Sequence, residues 1–279
     1  MIFRIRKAGA MGLLKVALLQ YRASADKAAN LKTARAMTLE ALEKKARFIL
    51  LPEIFNFRGD LSRPEIMSFA AEKIPGPSVL PFMALARQYK AAVLLGSIIE
   101  KTAGPRAYNT SVFIDPSGKI AAKYRKINLF DARIGDKMIK ESDRFLAGKR
   151  PAAVKVGDFT AGLTVCYDLR FPMLYRNYSR KGAQLLTVPS CFTKKTGEAH
   201  WEALLRARAI ENLAYVLAPN QTGTDDRGMQ AYGHSLIVSP WGEVIAQGSA
   251  AKQEIIFADI NTEEVHKARR TLPGIVKKT

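Results

Sequence analysis

The stretch Gly162-Leu163-Thr164-Val165-Cys166-Tyr167-Asp168-Leu169-Arg170-Phe171-Pro172 is an apolar run that ends in a cysteine and then breaks toward a helix. A strand-to-helix turn of this kind has the form of a nucleophile elbow and exposes its side chain at the C-terminal end of the strand. The Tyr167 backbone N–H and the N-terminus of the following helix would face the same space, where both favour a thiolate and an oxyanion. Taken alone, the segment fits a buried structural cysteine equally well, a common fate of free thiols.

On either side of it, short apolar runs alternate with helical patterns. Residues 14–19, 48–51, 91–100, 108–115, 160–165, 184–188, 214–218, 232–238, 244–247 and 254–260 read as strands. Helical spacing runs from Ser24 or Asp26 to about Ala46, and over 78–90, 171–181 and 197–212. Pro116-Ser117-Gly118-Lys119 reads as a hairpin turn, so the sheet is expected to be mixed rather than wholly parallel. The alternation predicts a layered α/β architecture. Residues 126–151 are polar, without strong periodicity, and long enough to be a functional loop. No linker divides the chain, and residues 11–279 are expected to form one domain. Residues 1–10 are short and basic and precede a second methionine, Met11. They read as a disordered or mis-started extension and not as a secretory signal.

Composition narrows the function classes. The chain has 279 residues, 48% hydrophobic and 25% charged, which is a globular profile. No apolar run approaches the roughly 18 residues of a membrane span. Two cysteines, Cys166 and Cys191, make no disulfide framework, so a reducing cytoplasm is the simplest compartment. His200, His234 and His266 stand far apart without metal-ligand spacing, and neither a metal nor another cofactor is expected. The net charge is +19, but the basic residues are dispersed. That pattern reads as a basic solvated surface or as attraction of an anionic substrate, and nucleic acid is not the expected partner.

A reactive cysteine needs a group to take its proton. Glu53, in Leu50-Leu51-Pro52-Glu53-Ile54-Phe55, follows directly on a strand in an apolar setting. Burial there is expected to raise its pKa toward the range of a general base, although a capping or salt-bridged glutamate would fit too. Lys126, in Lys123-Tyr124-Arg125-Lys126-Ile127-Asn128-Leu129-Phe130, has apolar neighbours that could hold an ammonium at a pocket edge, or it is one more surface lysine.

The order Glu53, Lys126, Cys166 closely resembles the carbon–nitrogen hydrolase, or nitrilase, superfamily. So do the strings from Pro189-Ser190-Cys191-Phe192 to Glu211-Asn212, Tyr232-Gly233-His234-Ser235 and Ser239-Pro240-Trp241-Gly242. The resemblance runs over nearly the whole chain and points to the Nit branch, which includes deaminated glutathione amidases and omega-amidases. It implies a four-layer α-β-β-α sandwich with mixed sheets and a Glu–Lys–Cys thiol amidase. Cys166 would be the nucleophile, Glu53 the general base and acid, and Lys126 the oxyanion stabiliser beside the Tyr167 N–H. Glu141, in Glu141-Ser142-Asp143, would orient Lys126 or the substrate, across a loop about one residue shorter than is usual in the family. The implied substrate is a small anionic amide, first deaminated glutathione. Alternatives are an α-ketoglutaramate-type omega-amide, a nitrile or an N-carbamoyl compound. Arg170 and Lys194 or Lys195 are candidates to clamp its free carboxylate, the alternative being a salt bridge or solvent exposure. Two departures stand out: Asn128 where the family often has histidine, and Cys191 where a small residue is common. Cys191 is expected to be structural, at a position that lines the same pocket. The tract 197–212 lies near subunit contacts in the family, which implies a homo-oligomer, a dimer or larger.

Overall fold

The computed structural model describes residues 12–134 and 137–274. The extension expected at 1–10 lies outside them. Strand β1 (Leu13–Gln20) is apolar on both faces because both are covered. Leu14, Val16 and Leu18 enter a core between two sheets, whereas Ala17 and Leu19 enter a second core beneath helices. That is the period of two of an extended strand.

Helix α1 (Lys27–Glu43) follows, capped by the Asp26 side chain, which accepts from the Ala29 N–H at 3.0 Å. Then come β2 (Phe48–Leu50), α2 (Pro64–Ala70), α3 (Leu80–Tyr89), β3 (Ala92–Glu100), β4 (Tyr108–Ile114) and β5 (Ile120–Arg125). A ribbon of β6 (Asp131–Ile134) and β7 (Lys137–Lys140) leads to β8 (Ala152–Val156), β9 (Phe159–Leu163) and α4 (Pro172–Arg180). The chain continues through β10 (Leu185–Thr187), α5 (Lys194–Asn212), β11 (Tyr215–Ala218), β12 (Leu236–Val238) and β13 (Val244–Gln247). It ends with β14 (Glu254–Asn261) and α6 (Thr262–Thr271).

The strands form two six-stranded mixed sheets, ordered β14-β1-β2-β3-β4-β5 and β13-β12-β11-β10-β9-β8. In the first, β1, β2 and β3 are parallel; in the second, β9, β10 and β11 are. Val16, Leu18, Phe48, Leu50 and Leu94 of one sheet share a core with Phe159, Leu163, Leu185 and Leu217 of the other. Helices α1 and α3 cover the outer face of the first sheet. On the second, α5 packs against β11 and β12. Helix α4 sits so close to β9 that a Cβ at Gly162 would lie 2.5 Å from the Tyr178 ring. The result is the expected four-layer α-β-β-α sandwich. Emptying its centre, as in Phe48→Ala, would cost about 3–5 kcal/mol.

Several elements depart from the sequence reading. Residues 131–134 and 137–140, expected to be irregular, pair as an antiparallel ribbon. Elements α2, β5, β8 and α6 were not read as elements, although the turn at 116–119 implied a strand beyond it, and the elbow passes through a short 3-10 turn (Cys166–Arg170) before α4 begins. Helix α6 carries a clear start signal, Asn261 accepting from the Glu263 N–H at 2.8 Å, but it buries only Val265 and Ala268 and so has little apolar periodicity. No helix among the described residues is long and apolar enough to cross a membrane.

Candidate active site

Glu53 stands three residues after β2, Lys126 directly after β5, and Cys166 three residues after β9. Two sheets, packed face to face, thus deliver three side chains from distant parts of the chain to one place. Cys166 is in the left-handed region, with φ 47°. A non-glycine residue there costs on the order of 1–2 kcal/mol, and the surroundings hold it. The Cys166 N–H donates to Pro189 O at 2.9 Å, and the Val165 N–H donates to Asp168 Oδ2 at 2.9 Å.

All three residues are nearly inaccessible: 5% for Glu53, 2% for Lys126 and 9% for Cys166. Glu53 Oε1 accepts from Lys126 Nζ and from Asn109 Nδ2, each at 2.9 Å. Glu53 Oε2 accepts from the Cys191 backbone N–H at 2.9 Å. Lys126 Nζ has a second carboxylate partner, Glu141 Oε2, at 2.8 Å. Glu141 is held in turn by Asn109 Nδ2 at 3.1 Å and by the Phe130 N–H at 2.7 Å. One ammonium and one amide therefore bridge the same two carboxylates.

These contacts set the resting protonation states. Burial pushes the Glu53 carboxyl up, as the sequence suggested. The Lys126 charge and hydrogen bond, with those from Cys166 and Asn109, outweigh burial and hold it below the ordinary 4.5. The expectation of a raised Glu53 pKa is thus corrected. Its burial was legible in sequence, but its cation was not. The Cys166 thiol is pushed well above 9.0, chiefly by burial and then by the Glu53 charge, with Lys126 opposing. Burial disfavours the Lys126 ammonium, but Glu141 and Glu53 more than offset this and raise it well above 10.5. At rest the site holds a thiol, a carboxylate and an ammonium, an arrangement ready for proton transfer from sulfur to Glu53.

The carbon–nitrogen hydrolase family model matches residues 15–270. The chain belongs to the carbon–nitrogen hydrolase family. It is a hydrolase acting on non-peptide C–N bonds, of amidase type. It is 38% identical to the omega-amidase NIT2 of Xenopus tropicalis over 94% of each chain. It is 35% identical to the deaminated glutathione amidase of Synechocystis sp. (strain PCC 6803 / GT-S), over 93% of this chain and 96% of that one. The structure of Saccharomyces cerevisiae Nit3, a member of branch 10 of the nitrilase superfamily, superposes with a TM-score of 0.85. That match has 31% identity and covers 94% of this chain and 95% of the other.

In this carbon–nitrogen hydrolase the sulfur opens on a cavity of about 180 Å³, also lined by Tyr167, Arg170, Phe192 and Cys191. The Tyr167 ring packs edge-on between Phe130 and Phe171 at 5.0 and 5.6 Å. The Arg170 guanidinium lies over the Phe192 and Tyr167 rings at 5.4 and 5.9 Å and meets His200 Nδ1 at 3.3 Å. It has no carboxylate partner among the described residues. Lys194 and Lys195 line an adjoining hollow rather than the cavity that holds the sulfur, and Lys194 is half-exposed, 3.9 Å from Glu198. Cys191 lines the cavity with its side chain, and its backbone also binds Glu53. Asn109, Asp168 and the Cys191 N–H were absent from the sequence reading. Asn109, Thr110 and Ser111, three successive buried polar residues in β4, were the available signal.

Proposed function

We propose that this chain is a thiol amidase for a small anionic amide, with Cys166 as nucleophile, Glu53 as base and acid, and Lys126 as oxyanion stabiliser. One observation carries the reading. Glu53, Lys126 and Cys166 line one cavity, in which the Lys126 ammonium donates to the Glu53 carboxylate with Nζ 2.9 Å from Oε1.

The Cys166 sulfur attacks the amide carbonyl carbon as its proton passes to Glu53. The tetrahedral oxyanion rests on the Lys126 ammonium and the Tyr167 backbone N–H, each such donor being worth about 10²–10³ in rate. Collapse breaks the C–N bond, and Glu53 returns the proton to the departing nitrogen. A water then gives its proton to Glu53 and attacks the thioester. The acid leaves, and the sulfur recovers its proton from Glu53. Glu141 holds the far side of the Lys126 ammonium throughout.

Arg170, a guanidinium without an acidic partner at the cavity wall, supports an anionic substrate. Deaminated glutathione is the preferred substrate in this reading, supported by the name of the Synechocystis relative. The name of the Xenopus relative supports an omega-amide such as α-ketoglutaramate as the second reading. The exposed apolar side chains Met173, Ile210 and Trp241, at 71, 44 and 53%, support a homo-oligomer. The two free cysteines support a cytoplasmic location.

Acid and amine production from deaminated glutathione, α-ketoglutaramate, simple nitriles and N-carbamoyl amino acids tests the proposal. It predicts the highest kcat/KM on deaminated glutathione. Faster cleavage of α-ketoglutaramate selects the second reading. Turnover of nitriles or carbamoyl compounds alone would overturn both.

A further inference from the structure

Asp168 lies two residues beyond the nucleophile and is completely buried. Its Oδ1 accepts from the Asn128 backbone N–H at 2.9 Å and from Asn128 Nδ2 at 2.8 Å. Its Oδ2 accepts from the Tyr124 hydroxyl at 2.7 Å and from the Val165 N–H at 2.9 Å. These four bonds fill the acceptor capacity of a carboxylate, and all four donors are neutral. Burying a carboxylate this way is costly compared with an apolar side chain, so packing alone does not account for it.

The donors have a pattern. Tyr124 and Asn128 stand two residues before and two after Lys126. Val165 stands immediately before Cys166 and Asp168 two after it, so the Val165 bond closes the turn in which Cys166 takes its left-handed conformation. One carboxylate thus joins the end of β5 in the first sheet to the end of β9 in the second, at the two points where the ammonium and the sulfur emerge.

We propose that Asp168 is a positioning residue that fixes the Lys126 ammonium relative to the Cys166 sulfur, which rests on the roles given to those two residues above. Asn128 supplies two of the four bonds, one from its backbone N–H and one from Nδ2.

The test is Asp168→Asn. Asparagine keeps the volume, but one of its two terminal atoms becomes an NH₂. The two backbone donors sit on opposite oxygens and cannot reverse, so either amide orientation leaves one backbone N–H facing an NH₂. The expected result is a fall in kcat of about 10²-fold with KM changed by no more than a few-fold. A second readout needs no turnover. The rate of Cys166 alkylation by iodoacetamide, located by peptide mass, should lose the wild-type pH dependence. A shifted alkylation profile supports the positioning role whichever amide the wild type cleaves, which separates this test from the test of the amidase reading. Tyr124→Phe and Asn128→Ala each remove one side-chain donor and leave the backbone bonds, and each should lower kcat about tenfold. They decide the matter if Asp168→Asn does not fold. Folded variants that keep kcat within twofold and the wild-type alkylation profile would overturn the proposal, because a merely structural carboxylate would alter the thermal midpoint and neither of these readouts.

Discussion

The backbone N–H of Cys191 donates to Glu53 Oε2 at 2.9 Å. Oε1 of the same carboxylate already accepts from Lys126 and Asn109. Each carboxylate oxygen has two lone-pair sites, so these donors leave one site open, on Oε2. The three fixed donors thus choose which oxygen takes the proton, and Glu53 is aimed as well as charged.

Glu53→Gln keeps the shape of this group and removes its ability to take a proton. The expected outcome is a fall in kcat of about 10²–10⁴-fold, the usual worth of a general base, in steady-state kinetics on the best amide of the panel. A loss smaller than tenfold would mean that another group accepts the thiol proton.

Lys126→Met leaves Glu53 and Glu141 buried without their ammonium. Breaking a buried pair from one side costs about 3–5 kcal/mol, so denaturant unfolding should show a loss of that size. Turnover should fall by at least about 10²-fold as an oxyanion donor disappears. A variant as stable as the wild type would contradict the double ion pair.

Asn109→Ala removes the one amide that donates to both acids. Donors to a carboxylate favour its anion, so losing this one raises the Glu53 pKa. The base must be ionised to act. The acid limb of the pH profile of kcat/KM should therefore move to higher pH than in the wild type, and an unmoved limb would deny Asn109 this influence.

Glu100 gives a stability prediction beside the site. Burial pushes its carboxyl up, but hydrogen bonds from Arg125, Lys123 and Thr110 bring it down from 4.5 to about 2. A depressed folded pKa contributes stability above the unfolded value and loses it as pH falls through the folded one. Thermal midpoints should thus decline from about pH 4.5 toward 2, and Glu100→Gln should flatten that decline. Because Arg125 precedes Lys126, the variant should also loosen the strand end that carries the ammonium.

The layered fold was legible because strands covered on both faces are continuous apolar runs, and Glu53 and Cys166 stand just past two such runs. Lys126 follows β5, whose alternate residues are exposed and basic, so it was singled out through the family resemblance and not by its surroundings. The β6–β7 ribbon and helix α6 were illegible because both are mostly polar and bury few side chains. The Cys191 contribution comes from a backbone N–H, which no side chain announces. Asn109 and Asp168 act through groups distant in sequence, so residue type alone could not reveal their partners. The Glu53 protonation state was misjudged for the same reason: a local apolar setting predicts burial, whereas the deciding cation comes from the end of β5.

The central claim is that the acyl group passes through the Cys166 sulfur. Rapid acid quenching during turnover, followed by mass analysis of the peptide containing residue 166, tests it most directly. The expected result is an added mass equal to the acyl fragment on Cys166 and none in Cys166→Ala, which should show no turnover. Undiminished amide cleavage by Cys166→Ala, or an acyl adduct on Cys191 instead, would contradict it.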